Sequence, residues 1–372
     1  MTLMKYVVFH PWRATTVVLV GIVLGTGAFY AYELNAAFGA IAVEEFNPEV
    51  ARDAIEAAPP PAVTGTTVYD FLIVDPGYDV NADPLDLINE QIESIPDPRD
   101  FSPYSFGEPI SDDVFESYLL LGTDASGFLA DSIILALQPG EGGAPIMVSL
   151  PRDLYVWNLC KGTFTRLNTG LGGCKGTASG SELMAIMVED YTGIPVDHLA
   201  RINFGGFARL VDSLGGITVC VDYPTRDAKS QLDIPTPGCQ RVDGATALAW
   251  VRSRHTEQLK GEDEWVQVAG SDFARQRRQQ DVLFQLAGRA AGFSSPATLA
   301  NRLSAVSSSV RLDSSWSFGQ AVSAAWRYRG ISKSSVHRFS IEIVNFKTPR
   351  GAAVLLPAKP FQEQLELVYP LS

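Results

Sequence analysis

From Tyr118 onward the chain alternates short apolar runs with stretches of helical periodicity. Tyr118–Thr123 (YLLLGT), Ser132–Gln138 (SIILALQ) and Ala144–Leu150 (APIMVSL) have the length and character of strands buried in an α/β sheet. Ser179 and Glu182 form a capping box ahead of LMAIMVEDYTG, predicting a helix that ends near Gly193, with Pro195 beyond it. HLARINF then predicts a strand, FARLVDSLGG (Phe207–Gly216) a helix with a glycine stop, and ITVCVD another strand. Asp243 is placed to cap GATALAWV, and Asp272–Phe273 opens a helix running through LFQLAGRA. FSIEIVNF predicts a late strand. Interleaved helices and strands give an α/β fold class, with a mixed central sheet flanked by helices. There is no internal repeat.

The first third reads differently. Ala14–Tyr32 is a run of 19 residues without a charge, close to the roughly 20 that cross a bilayer. Lys5 and Arg13 precede it and Glu33 follows, an asymmetry that puts the N-terminus in the cytoplasm. The alternative is a cleaved signal peptide, with small residues at Ala36–Ala40, but the run exceeds a usual signal core. The expected organisation is a cytoplasmic tail over 1–13, a transmembrane anchor over 14–35, an extracellular stalk or accessory region over 36–114, and an extracellular α/β domain over 115–372. Within 36–114, APPPAV and DPRDFSPYSFGEP are turn and extended signals, and Val68–Val74 (VYDFLIV) is a strand candidate.

Composition sharpens this picture. With 372 residues, 46% of them hydrophobic, the chain has ample material for a core. A net charge of −13 speaks against nucleic acid as a partner, since that needs a broad basic surface. Export makes disulfides the natural state of the four cysteines, and sequence neighbours pair as Cys160–Cys174 and Cys220–Cys239, one of three possible connectivities. A structural zinc site is the poorer reading, because there is no CxxC and the four histidines are scattered.

Against that acidic background, arginines cluster. WVRSRH (Trp250–His255) places Arg252 and Arg254 two apart, and SDFARQRRQQ (Ser271–Gln280) adds Arg275, Arg277 and Arg278. Asp272, Arg275 and Gln279 share one helical face, which continues as apolar Val282 and Leu286. A buried face that turns polar in its first turns suits a cleft wall. Arg277 lies well round the helix, on the solvent side, and Arg278 stays ambiguous. Asp124 follows one strand, Asp131 starts the next, and Arg152–Asp153 follow the third. The ends of sheet strands are where α/β proteins hold ligands. Asp124 and Asp131, flanking one loop, either share a hard cation such as magnesium or cap the loop. The arginines either grip phosphate or form structural ion pairs. No GxSxG, P-loop or HExxH motif points to an esterase, NTPase or zincin, and His198 reads as structural.

The order LLLGTD, ADSIILAL, SLPRDLYV, RLN, IPVDHLARINFGGFARLVDSLGGITV, DGATALAWVRSRH, DFARQRRQQ resembles the LytR-CpsA-Psr family of cell-wall proteins, over residues 115 to 290 and onward to 372. The resemblance implies a membrane-anchored phosphotransferase that moves a glycopolymer from a polyprenyl-pyrophosphate carrier to peptidoglycan, through a phosphodiester and with magnesium. It implies metal-associated carboxylates at Asp124 and Asp131, and pyrophosphate contacts from Arg152, Arg252, Arg254, Arg275 and Gln279. Asp153 would be the acidic partner, and Arg278 the recurrent arginine beside the glutamine. Arabinogalactan of an actinobacterial envelope is the expected polymer, with teichoic acid and capsular polymers as alternatives. The rival functions are a non-catalytic polyprenyl-phosphate binder and a pyrophosphatase. The prenyl tail is expected along the stripe after Arg275 or along Leu183, Ile186 and Met187, each of which is otherwise ordinary core. One departure stands out: Leu129 replaces an arginine usual in the family, with Arg166 and Lys161 as candidate substitutes. The stretch from Arg254 to Asp272, containing GEDEW, is long for the family and reads as a lid, an acceptor-binding loop or an idle insertion.

Overall fold

The computed structural model describes residues 32, 35–58, 102–124, 126–140, 142–261, 264–268, 272–291, 307, 310–317, 320, 327, 333–348 and 351–371. The expected membrane span and the Val68–Val74 strand candidate lie outside them, apart from isolated residues at the end of the span. No helix among the described residues is long and apolar enough to cross a membrane.

A seven-stranded mixed sheet organises the chain. In chain order, its elements and their neighbours begin with β1 (Ala42–Glu44) and α1 (Pro48–Glu56). Then come the long antiparallel pair β2 (Phe115–Thr123) and β3 (Ala130–Pro139), followed by β4 (Ile146–Leu150). A hairpin of β5 (Tyr155–Asn158) and β6 (Thr163–Arg166) leads through a short 3-10 helix (Leu167–Gly172) to α2 (Gly180–Thr192). Next are β7 (His198–Asn203), α3 (Phe204–Ser213), β8 (Ile217–Val221), β9 (Thr225–Asp227), β10 (Leu232–Ile234), β11 (Gly238–Val242) and α4 (Gly244–Arg252). The chain continues through β12 (Glu257–Leu259), β13 (Trp265–Gln267), α5 (Asp272–Ala291), β14 (Val310–Asp313), β15 (His337–Ser340), β16 (Ile343–Lys347), β17 (Ala353–Pro357) and α6 (Phe361–Glu366). The main sheet runs β1-β14-β7-β2-β3-β4-β15, with β2–β3, β3–β4 and β7–β14 antiparallel and the other pairs parallel.

Alternation along β3 assigns the two faces of the sheet. Ile133, Leu135 and Leu137 join the main core with Leu183, Met184, Ile186 and Met187 of α2. Ile134 and Met147 turn to the opposite face, against Phe284 of α5. The α2 helix forms because Ser179 and Glu182 make the reciprocal capping box, and it stops because Gly193 takes a left-handed conformation, φ 71°, that favours glycine. A Cβ at Gly193 would also lie 1.8 Å from the Glu108 carbonyl oxygen. The residues expected to be stalk or accessory contribute here: β1 pairs with β14, Ala51 and Ile55 of α1 enter the core, and Arg52 bonds Asp190 at 2.7 Å.

On the second face α3, α4 and α5 form a separate apolar cluster with β8. Val211, Ala247, Val251, Val282 and Leu286 meet there. Both expected disulfides are present; Cys220 and Cys239 are direct partners on β8 and β11. FSIEIVNF is not one strand. It divides at Ile341–Glu342 into β15, which completes the main sheet, and β16, which pairs with β17. The divide follows from Ile341 entering the core, fully buried, while the Glu342 N–H donates to Gln364 Oε1 at 2.6 Å. The Arg254–Asp272 stretch, as far as described, adds β12 and β13 to a four-stranded sheet with β9 and β10. Arg226 fastens it, bonding Glu257 at 2.8 Å and stacking on Trp265 at 3.8 Å.

The helices α3 and α4 come close at Gly244, whose N–H bonds Asp212 Oδ1 at 2.7 Å. A Cβ there would lie 2.1 Å from the Ala208 carbonyl oxygen. Gly244→Ala is therefore expected to push the helices apart and lower stability by about 1–3 kcal/mol, measured by urea denaturation. A wild-type midpoint would show that this contact is not tight.

Candidate functional site at the rim of an apolar cavity

The site starts with an irregularity in the β2–β3 ladder. Gly122 pairs with Ser132 but Thr123 pairs with Ala130, so Asp131 is the extra residue of a β-bulge. A bulge re-aims its side chain. On the other side of β3, Ile133 pairs with Leu150. Continuing that register by two residues sets Asp131 opposite Arg152. The two side chains form an ion pair, and Arg152 Nε also bonds Asp153 Oδ2 at 3.3 Å. Burial works against the charged guanidinium, but the bonds and charges of Asp131 and Asp153 outweigh it and hold Arg152 above the ordinary arginine range. Arg166, at the end of β6, approaches Asp153 from the other side at 3.5 Å and donates to the Ala353 carbonyl at 2.8 Å. Of the two candidates to replace the missing arginine at Leu129, Arg166 is at the site. Lys161 is exposed in the β5–β6 turn.

Asp124 sits at the start of the loop that closes on the bulge. Its carboxylate accepts from Ser126 Oγ at 2.7 Å and from the Gly127 N–H at 2.8 Å, and its own N–H bonds the Leu129 carbonyl at 3.1 Å. Gly127 has φ 77°, as this turn requires. Although burial opposes it, these donors lower the Asp124 pKa. Among the described residues no group of three or more His, Cys, Asp or Glu could hold a metal. Two carboxylates alone do not complete the coordination of a hard cation, whose other ligands would have to come from substrate phosphate and water.

The second wall comes from α4 and α5. Arg252 ends α4 and stacks over the Phe204 ring at 4.4 Å. Gln279 of α5 links the walls: Ser132 Oγ donates to its Oε1 at 3.1 Å, and its amide donates to the Val251 carbonyl at 3.3 Å. Arg275 is 4% exposed and Arg277 is exposed, as their helical positions imply. The ambiguous Arg278 turns to the chain after α4, donating to the Ser253 carbonyl and lying 4.9 Å from the Trp250 ring. Burial, only partly offset by Asp227, lowers its pKa. The Asp272 side chain lies outside the described residues.

Between these walls the second face of the sheet is incompletely filled. A cavity of about 260 Å³ lies there, floored by Leu120, Ile134, Ala200 and Ile202 and roofed by Phe207, Leu248 and Leu283. Asp131, Arg252 and Gln279 stand among its lining residues, so charge and amide meet an apolar chamber. The expected tail-binding residues are corrected by this placement. Leu183, Ile186 and Met187 are fully packed core on the other face, and Val282 and Leu286 belong to the α3–α4 cluster. From the stripe after Arg275, only the next position round the helix, Leu283, reaches the cavity. The described residues of the Arg254–Asp272 stretch contribute nothing to its lining.

The LytR_cpsA_psr family model matches residues 100–366. The chain belongs to this family. Among relatives, it is 33% identical over 202 residues to the Corynebacterium glutamicum protein titled "Probable cell wall biosynthesis protein LcpB", covering 50% of this chain and 44% of that protein. It is 28% identical over 198 residues to the polyisoprenyl-teichoic acid–peptidoglycan teichoic acid transferase TagU of Bacillus cereus, covering 52% and 59%. The match thus spans less than two thirds of these relatives' length. Among solved structures, a LytR-Csp2A-Psr enzyme from Actinomyces oris superposes with TM-score 0.53 at 27% identity, covering 70% of this chain and 96% of that one.

One residue on which this LytR_cpsA_psr protein depends locally lies outside the stretches quoted for the resemblance. Asp227, 1% exposed at the end of β9, accepts from Ser253 Oγ at 2.7 Å and from the backbone N–H groups of Arg254, His255 and Lys229 at 3.0, 2.9 and 2.9 Å. Burial alone would raise its pKa, but these donors hold it down at about 2. It thereby fixes the turn carrying Arg252 and Arg254. A carboxyl depressed in the folded state stabilises above its ordinary pKa, and that contribution is lost as pH falls toward the folded value. The stability advantage of the wild type over Asp227→Asn should therefore be full at neutral pH and shrink between about pH 4 and about pH 2. Urea melts across that range check it; a pH-independent gap would contradict the ionised anchor.

Proposed function

We propose that the protein is a phosphotransferase that moves a glycopolymer from a polyprenyl-pyrophosphate carrier to a peptidoglycan hydroxyl. The observation that carries this reading is the apolar cavity whose rim bears Asp131, Arg252 and Gln279, with Arg152 bonded to that same Asp131. A prenyl chain needs a dry apolar groove, and its diphosphate needs guanidinium forks at the mouth. The name of TagU supports the donor and acceptor classes.

In the proposed reaction the acceptor oxygen attacks the phosphorus linked to the glycopolymer. The phosphoanhydride bond breaks and polyprenyl phosphate leaves, while the acceptor proton passes to solvent or to the departing phosphate. Arg152, firmly charged, would stabilise the charge spreading over the phosphoryl oxygens, and Arg252 would act from across the mouth. Asp153 fits an orienting role better than that of a base, because it already accepts from Arg152 and lies 3.5 Å from Arg166. Arg254, Arg275 and Arg278 would support the cluster, with Arg254 held by the Asp227 turn. Asp124 and Asp131 would hold magnesium, which when bound supplies further positive charge to the phosphate oxygens. A membrane anchor over 14–35 would place all this at the outer face of the bilayer, where the carrier's tail lies.

Arg152→Ala is expected to lower transfer from a polyprenyl-pyrophosphate glycan by about 100-fold or more, in a protein whose circular dichroism shows the fold retained. Ala200→Phe should fill the cavity floor and abolish binding of polyprenyl phosphate by the folded protein. Full turnover in both Arg152→Ala and Arg254→Ala would defeat the reading. Release of phosphorylated glycan without any acceptor product would favour the pyrophosphatase, and lipid binding without turnover the non-catalytic binder.

A further inference from the structure

A second depression lies on the other side of the loop that carries Asp124. Its volume is about 790 Å³, and it shares Arg201 and Asn203 with the apolar cavity. The two spaces are therefore neighbours across the 123–132 loop. Their chemistry is opposite. The first is apolar; the second is lined by Lys175, Arg201 and Arg311, with no carboxylate among the described lining residues, in a chain of net charge −13. Glu44 bonds Arg201 at 2.8 Å, so the uncompensated charge of the lining lies with Lys175 and Arg311, both exposed.

The walls are unusually bare. Gly172 and Gly176 have no atom within 4 Å of where a Cβ would stand, so a bulky ligand can reach the backbone there. Phe128, 68% exposed, offers an aromatic face at the lip, and Ser126 and Ser179 add hydroxyls. The glycine-rich wall is also held in place. Cys174 is bonded to Cys160, and its N–H and carbonyl close a tight turn with Ala178, at 2.8 and 3.0 Å. A wall fixed before binding reduces the ordering cost of recognition.

Resting on the phosphotransfer reading, we propose that this depression is the acceptor subsite and that it takes a carboxylate-bearing glycan strand. Sugar rings pack C–H faces on an aromatic side chain such as Phe128, their hydroxyls suit backbone and serine partners, and the carboxylates of muramic acid or its peptide stem meet Lys175 and Arg311. A strand lying here brings a sugar hydroxyl past Arg201 and Asn203 to the mouth of the lipid cavity.

The test is titration calorimetry of the full chain in detergent with an N-acetylglucosamine–N-acetylmuramic acid tetrasaccharide, alongside neutral chitotetraose and a glycerol-phosphate oligomer. The wild type should bind the muramyl glycan most tightly. Lys175→Glu combined with Arg311→Glu should weaken it at least tenfold and leave chitotetraose and polyprenyl phosphate binding unchanged. Phe128→Ala should weaken both sugars. Equal muramyl-glycan binding by wild type and the double variant would overturn the proposal, as would tighter binding of the glycerol-phosphate oligomer, which would assign the groove to the donor's polymer. Because binding is read without donor, it stands or falls apart from phosphotransfer, which the Arg152→Ala turnover tests separately.

Discussion

Positive charge beside an apolar chamber must be compensated before any ligand arrives, and that constraint shapes the site. A guanidinium at a low-dielectric rim is costly when unpaired. Arg152 is bonded by Asp131 and Asp153, Arg166 by the Ala353 carbonyl beside Asp153, and Arg252 lies on the Phe204 ring. Arg278 takes the Ser253 carbonyl, with Asp227 close enough to favour its charge. Of the arginines that stand out in the acidic sequence, Arg252 lines the cavity, Arg278 is tied to the turn behind it, and Arg277 faces solvent. A phosphate ligand would exchange carboxylate partners for phosphate oxygens, with the forks already in position. That is preorganisation in the electrostatic sense: the donors need not be gathered when the anion binds.

The same pairing depends on sheet geometry. One bulged residue on β3 swings Asp131 toward the continuation of β4, where Arg152 lies. Gly122, opposite Ser132, allows the ladder to stay close beside the bulge, since a Cβ there would stand 3.1 Å from the Ser132 Cβ. Ser132 is then free to donate to Gln279, tying the sheet to α5, and Gln279 ties α5 to the end of α4. Three elements distant in sequence are joined by two hydrogen bonds at the cavity mouth. Gln280, 2% exposed and bonded to Ser149 at 2.9 Å, repeats the link one residue on.

Much of this was legible in the sequence because it is local. The capping box at Ser179–Glu182, the cap at Asp243 and the run from Arg275 through Gln279 to Val282 each obey a short-range rule. The two disulfides also join sequence neighbours, one of them across adjacent strands. What escaped is set by long-range packing. Asp227 lies in a three-residue strand without a motif, and only its five donors, two from residues 254 and 255, reveal it. The cavity escaped because apolar periodicity says that a face is buried but not that it is incompletely filled. Leu183 and Leu283 carry the same signal; the fold alone packs one in the core and opens the other to the chamber. The split of FSIEIVNF escaped because a buried Ile341 continues the apolar pattern while Gln364 takes the next N–H.

Leu129 stands where the family resemblance implies an arginine, and the loop closes without one. Its backbone carbonyl accepts the Asp124 N–H at 3.1 Å and so closes the loop, a task that no side chain performs. Its side chain is 43% exposed and contributes no donor. Losing an arginine there removes charge without opening the loop. Arg166 approaches Asp153 from the neighbouring hairpin and is fixed by the Ala353 carbonyl at 2.8 Å. A second guanidinium therefore stands beside Arg152, on the β6 side rather than the loop side. Leu129 thus sets an apolar side chain beside Phe128, which lines the depression next to this loop. If that depression receives a glycan as proposed, an apolar neighbour would suit a sugar face better than a hydrated charge, while Arg166 would keep a second guanidinium beside Asp153.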